Sequence, residues 1–319
     1  MNGRPLVILT GPTAVGKTAL SISLAKTIGG EIISADSMQV YRRMDIGTAK
    51  IKKEETEGVP HHLIDVLEPE EPFDIVRFQT MAKQEMHAIY ERGHIPVLVG
   101  GTGFYIQSVL YDIDFLEHCE ESPCRKQLEE QAETPEGAAA LYERLREIDP
   151  ESAKLIHANN LKRVIRAIEF YEENHAPISA HNESQRKRRS PYAFCYFVLN
   201  EAREKLYARI DARVDRMMED GLLKEVEDLR ASGCTRGMVS MQGLGYKELL
   251  DYLDGQISLD EAVYRIKRDT RHFAKRQITW FKRERDVIWL ERGDFDSEDA
   301  ILAGMLEHLQ KRGVWAQKT

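Results

Sequence analysis

The stretch Gly11-Pro12-Thr13-Ala14-Val15-Gly16-Lys17-Thr18 constrains this chain more than any other. It fits the pattern G-x-x-x-x-G-K-[ST] and stands between a short apolar run, Leu6 to Thr10, and a segment with helical apolar spacing, Thr18 to Ile28. Such a loop needs a strand before it and a helix after it. Its backbone N–H groups and the helix N-terminus then turn inward together around phosphate oxygens. Lys17 adds a cation, and Thr18 offers a hydroxyl to magnesium. All eight residues are expected to surround phosphate.

The flanking segments extend this into a fold. Glu31 to Ala35 reads as a second strand, Val76 to Arg92 as an amphipathic helix, and Ile95 to Val99 as a third strand before Gly100-Gly101. Strand–helix alternation at this spacing predicts an α/β fold, a parallel sheet with helices on both faces. From Ser122 to about Asn174 the texture is helical, with Thr134-Pro135, Asp149-Pro150 and Asn160 placed as helix starts. A polar stretch, HNESQRKRRS, follows, and then a strand over Tyr192 to Leu199. The organisation expected is a first core part over 1–117, an all-helical insertion over 118–190, and a second core part over 191–319. That last part carries a helix region interrupted at Gly221, a short helix near 243–254, and a long basic helix from Ser258. A strand over Val287 to Leu290 and a closing helix over Glu298 to Lys311 complete it.

Composition narrows the class. No apolar run approaches the roughly 20 residues a membrane span needs. Cys119, Cys124, Cys195 and Cys234 show no zinc spacing and no disulfide framework, as expected of a cytoplasmic protein. The net charge of −8 argues against a globally basic nucleic-acid coat and leaves local basic surfaces open.

Beyond the loop, several residues can carry chemistry. The third strand ends without the acidic residue that an ATPase or GTPase uses to position magnesium, which suits a loop gripping a diphosphate. Asp36 follows the second strand at the ligand edge of the sheet, where it can accept a proton or simply cap an Asx turn. Thr102, at the same edge, can bridge Asp36 and a phosphate or cap the next helix. Arg209 and Arg213 lie four apart on one helix face, as a phosphate clamp requires, although solvated faces often carry such pairs. Arg186 to Arg189 reads as an exposed tether or an RNA-backbone contact. From Arg265 to Arg285, nine Lys/Arg oppose two acidic residues, interleaved with Tyr264, Phe273, Trp280 and Phe281. Those aromatics suit nucleic acid or the core side of the helix. His61-His62 is read as a loop held by hydrogen bonds rather than a metal site.

GPTAVGKT, ISADSMQVYRRMDIGTAK, PHHLID, VLVGGTGFY, LKRVIRAIE, MQGLGYKE and AKRQITWFKR, in that order from about Pro5 to Leu290, resemble the tRNA dimethylallyltransferases. The resemblance implies transfer of a dimethylallyl group from dimethylallyl diphosphate to the exocyclic amine of the adenosine 3′ of the anticodon, with Mg2+ as cofactor. It implies action on the anticodon stem-loop of tRNA, and the chain is expected to be a monomer. It makes Asp36 the base and gives Thr13, Lys17, Thr102 and Arg213 catalytic parts. Gly11 to Thr18, Arg209 and Arg213 would hold diphosphate. Asp36, Ser37, Met38 and Gln39 would meet the target nucleotide. Thr102, Arg125 and the segment Lys162, Arg163, Val164, Ile165 and Arg166 would contact tRNA. The family usually writes that last segment Gln-Arg-x-x-Arg, and here Lys162 replaces the glutamine. An adenylate isopentenyltransferase, a P-loop small-molecule kinase and a nucleotide-switched RNA-binding protein are the competing readings.

Overall fold

The computed structural model describes residues 3–115 and 122–317. The expected boundary between 117 and 118, and Cys119, lie outside them. The chain divides into two compact units, Met1–Leu110 with Pro191–Thr319, and Tyr111–Ser190.

The first unit is built on a six-stranded parallel sheet. Its strands are β1 (Arg4–Thr10), β2 (Gly30–Ala35), β3 (His61–His62), β4 (Ile95–Gly100), β5 (Tyr192–Asn200) and β6 (Val287–Glu291). They lie in the order β3-β2-β4-β1-β5-β6. The central strand β1 pairs on one side with β4, Val7 opposite Val97, and on the other with β5, Val7 opposite Cys195. Leu6, Val7, Ile8 and Leu9 are fully buried, the continuous apolar run that a strand covered on both faces requires. The strand order reverses around β1, so ligands are expected at the carboxyl ends of β1, β2 and β4.

His61-His62, expected as a loop, is a two-residue strand on β2, with Ile32 opposite His61. Two residues are too few to show a period. Hydrogen bonding does hold the pair: His61 Nδ1 meets Val59 O at 2.8 Å and His62 Nε2 meets Glu31 Oε2 at 2.7 Å.

The helices run α1 (Lys17–Ile28), α2 (Ile75–Glu91), α3 (Gly103–Leu110), α4 (Pro123–Gln131), α5 (Pro135–Ile148), α6 (Pro150–Leu155), α7 (Leu161–Asn174), α8 (Ile178–Arg186), α9 (Arg203–Glu219), α10 (Leu222–Ala231), α11 (Tyr246–Leu253), α12 (Leu259–Phe281) and α13 (Glu298–Lys311). Helices α4 to α8 form the second unit, around Leu128, Leu141, Leu145, Val164, Ile165 and Ile168. Thr134 caps α5 by accepting from the Gly137 N–H, and Asp149 caps α6 by accepting from the Ser152 N–H. Asp149 is 1% exposed and also accepts from the Ser179 N–H and hydroxyl, joining α6 to α8. Two local expectations fail. Asn160 stands before α7 but makes no side-chain cap. Residues 181–186, read as a polar stretch, belong to α8, steadied by Ile178 against the helical core and His181 against Phe170.

Candidate active site

The phosphate loop is shaped by glycine at two points. Gly11 has φ +147, and a Cβ there would stand 2.2 Å from Leu199 O; Gly16 has φ +96 and caps α1. Side chains are excluded at the first point by backbone and strained at the second. Lys17 folds back over the loop, donating to Gly11 O at 3.0 Å and Pro12 O at 2.9 Å. Burial, reinforced by Arg213 and opposed by Asp36, holds its amine down at about 8. Thr18 is exposed, and its hydroxyl bonds no described residue.

Cations from other elements collect on this loop. Arg213 of α9 points Nη1 at the Thr13 hydroxyl, 3.5 Å away, and burial lowers its pKa against the pull of Asp36. Arg209, one turn earlier, directs Nη1 to Val15 O at 3.4 Å. Both members of the expected pair therefore face the loop. Arg292, which no motif marks, approaches Val15 O at 3.3 Å. Gln277 of α12 is a second unmarked residue: it accepts from the Thr13 N–H at 2.9 Å and donates to Gly101 O at 3.0 Å. It lies within AKRQITWFKR, but its task is invisible until the chain has folded.

Asp36 sits where β2 ends. Its Oδ1 accepts from the Met38 N–H at 2.9 Å, so the Asx turn is real, and Oδ2 accepts no hydrogen bond from any described residue. One oxygen fixes the carboxylate while the other stays available. The Thr102 N–H donates to Ala35 O at 3.3 Å, which sets Thr102 beside Asp36; its hydroxyl bonds no described residue. Ser37, Met38 and Gln39 are half-buried. Gln39 accepts from the Ser34 hydroxyl at 3.1 Å and donates to Thr48 O at 3.2 Å, tying the next loop to the sheet. Glu225 of α10, also unmarked, completes that loop. It accepts the backbone N–H groups of Asp45, Ile46 and Gly47 and the Tyr246 hydroxyl.

The aromatics of the basic helix α12 differ in burial. Phe281 is fully buried, whereas Tyr264 is 55% exposed. Trp280 joins His272, Lys275, Arg276, Thr279 and Arg283 around an open groove of about 440 Å³.

In the helical unit, Lys162 and Arg163 are exposed, and neither has a carboxylate partner among the described residues. Val164 and Ile165, expected in RNA contact, are 0% and 4% exposed and belong to the core, because their positions fall on the inner face of α7. Their side chains pack into the helical core. Arg125 and Arg166 both reach Glu169 Oε2, at 3.4 and 3.5 Å, and Glu169 is fully buried. In the run from Arg186 to Arg189, Lys187 pairs with Glu183 and Arg188 approaches Asp112 at 3.9 Å.

Sequence models of two families match the chain: IPP transferase over residues 39–284 and isopentenyl transferase over residues 5–71. A protein of Lachnoclostridium phytofermentans named tRNA dimethylallyltransferase is 60% identical over 311 residues, covering 98% of this chain and 99% of the relative. The chain belongs to the tRNA dimethylallyltransferase family. A second member, from Acetivibrio thermocellus, is 47% identical over 310 residues and covers 97% of this chain and 99% of its own. The crystal structure of a tRNA isopentenylpyrophosphate transferase from Bacillus halodurans aligns with TM-score 0.73 at 42% identity, over 97% of this chain and 98% of that one. A eukaryotic dimethylallyltransferase solved acting on tRNA aligns with TM-score 0.84 at 29% identity, over 99% and 81%. Within this family frame the fold is a P-loop α/β fold, and among the described residues no helix is long and apolar enough to cross a membrane.

Proposed function

We propose that this chain transfers a dimethylallyl group from dimethylallyl diphosphate to the exocyclic amine of the adenosine 3′ of the anticodon in tRNA, releasing diphosphate. The observation that carries it is the half-used carboxylate of Asp36 beside a phosphate loop ringed by Lys17, Arg209 and Arg213.

The adenine amine is a weak nucleophile because its lone pair is shared with the ring. Asp36 Oδ2 takes the proton as the new C–N bond forms, while Oδ1 stays anchored on the Met38 N–H. The C–O bond to diphosphate breaks at an allylic carbon that tolerates positive charge, so stabilising the departing anion is the main task. The loop N–H groups, Lys17 and Arg213 do this, with the Thr13 hydroxyl orienting Arg213. Arg213 is half-buried, so its charge is screened less than on an open surface.

The donor set fits Mg2+ only as an ion carried in on phosphate. The Thr18 hydroxyl is a single hard oxygen ligand, and the described residues include no group of three or more Asp, Glu, His or Cys side chains placed to hold a metal ion. When bound, Mg2+ neutralises part of the charge on the leaving diphosphate.

RNA is held by local basic surfaces on a chain of net charge −8. Lys162, Arg163, Arg125 and Arg166 serve on the helical unit, and the groove of α12 offers cations beside Trp280. The target base leaves its stack to reach Asp36, with Ser37, Met38, Gln39 and Thr102 around it.

One assay tests the whole reading. Radiolabelled dimethylallyl diphosphate is offered with unmodified tRNA, with AMP, and with neither. Label in tRNA alone is expected; label in AMP would move the chain to adenylate prenylation, and none in either would end the proposal.

A further inference from the structure

The charges around the phosphate loop do not balance. Lys17, Arg209, Arg213 and Arg292 converge on it. Among the described residues two carboxylates answer them: Asp36, acting on Lys17 and Arg213, and Glu298, which accepts from Arg292 Nη2 at 2.6 Å. Arg209 has no carboxylate partner among the described residues. Four cations against two anions repel one another until a polyanion enters.

Their placement is also polarised. Lys17 and Arg213 lie at the Gly11–Thr13 end, near Asp36. Arg209 and Arg292 lie at the Val15–Gly16 end, where a Cβ on Gly16 would stand 2.9 Å from Arg292 Nη1 and 3.8 Å from Arg209 Nη1. Both guanidiniums address the single carbonyl of Val15, at 3.4 and 3.3 Å. Those contacts exceed the usual N–H···O range, so one oxygen leaves both donors poorly satisfied and easily exchanged for a better acceptor. Arg292 comes from the turn after β6, whose end is pinned by Asn200 Nδ2 donating to Glu291 at 3.0 Å. Its side chain is only 14% exposed. It lies outside both stretches matched by the family models.

We infer that Arg292, together with Arg209, receives the terminal phosphate of the diphosphate, and so makes the loop select two linked phosphates over one. The inference rests on the reading of the loop as a diphosphate site. Lys17 and Arg213 then serve the phosphate nearer the bond that breaks, and Arg292 supplies discrimination by length. A mere strut for the loop would support both kinds of anion equally.

The test is calorimetric titration of the full chain with inorganic diphosphate and with inorganic phosphate. Arg292→Gln should weaken diphosphate binding about tenfold or more, the range for a charged hydrogen bond, with phosphate binding changed by less than about twofold. Arg292→Lys, which keeps the charge, should recover part of the loss and guards against a folding defect in the first variant. Equal weakening of both anions in both variants would make Arg292 a strut, and no weakening would remove it from the site; either overturns the inference. Lys17→Ala separates the two claims. If it binds diphosphate normally, the loop reading itself fails; if it loses diphosphate while Arg292→Gln keeps it, only the role of Arg292 falls.

Discussion

The two units handle arginine in opposite ways. At the phosphate loop, Arg209 and Arg213 end on a carbonyl and a hydroxyl, without a carboxylate in contact. In the helical unit, Arg125 and Arg166 both lean on Glu169, a carboxylate with no exposure to water. The first arrangement leaves positive charge in excess and suits a small ligand of high charge density. The second answers its guanidiniums with carboxylates, Glu169 for both and Glu129 at 2.9 Å for Arg125, and holds them in a fixed pose, which suits a long backbone of evenly spaced phosphates. Excess charge favours affinity, and orientation favours register.

The sharpest way to break this contrast is at the carboxylate that stands among the loop cations. Asp36→Asn should lower single-turnover dimethylallyl transfer by roughly two to four powers of ten, with diphosphate affinity near wild type. Turnover close to wild type would leave the reaction without its base and the contrast without its chemistry.

Lys17→Ala comes next, raising the KM for dimethylallyl diphosphate and lowering turnover together, each by about tenfold to a hundredfold, because the cation meets phosphate before and during transfer. The pH behaviour of Lys17 follows from its amine lying at about 8. Above that value the free enzyme loses the charge, so diphosphate affinity should fall about tenfold per pH unit. Stability has the opposite sign. The native state resists the charged amine, so the penalty is complete below about 8 and fades as pH rises toward 10.5. In ligand-free thermal melts, Lys17→Met should therefore melt above wild type near neutral pH, and the difference should vanish across that window.

On the helical side, Arg125→Gln combined with Arg166→Gln should raise the KM for tRNA about tenfold. It should lower the salt slope of binding by somewhat under two units, leaving dimethylallyl diphosphate untouched. A change in diphosphate affinity would show that the two arginine sets are not separate devices. The smallest effect is expected at Thr102→Val, where one unpaired hydroxyl is lost: about twofold to tenfold in turnover on tRNA, with unchanged melting.

Much of the fold was legible because it is local. A strand, a glycine-bounded loop and a helix follow each other without a break from Arg4 to Ile28, and their periodicities are distinct. Asp36 and Thr102 could be placed at one sheet edge because each follows a strand within two residues. Val164 and Ile165 show the limit of reading a motif as a surface. A helix turns once every 3.6 residues, so a five-residue segment cannot all face a ligand. Gln277, Arg292 and Glu225 were not legible at all. Each reaches a loop of the site across some 180 to 280 residues of chain, and no local rule marks the convergence.

The grip of Gln277 on Thr13 has a consequence for what the loop will accept. The Thr13 amide already has an occupant, the side-chain carbonyl of Gln277, a residue only 6% exposed. A phosphate that takes this amide strands the Gln277 oxygen away from water, at a cost of about 1–3 kcal/mol. The loop thus carries a tethered competitor, and weak or singly charged anions face a threshold that a diphosphate, drawing on several cations at once, can overcome.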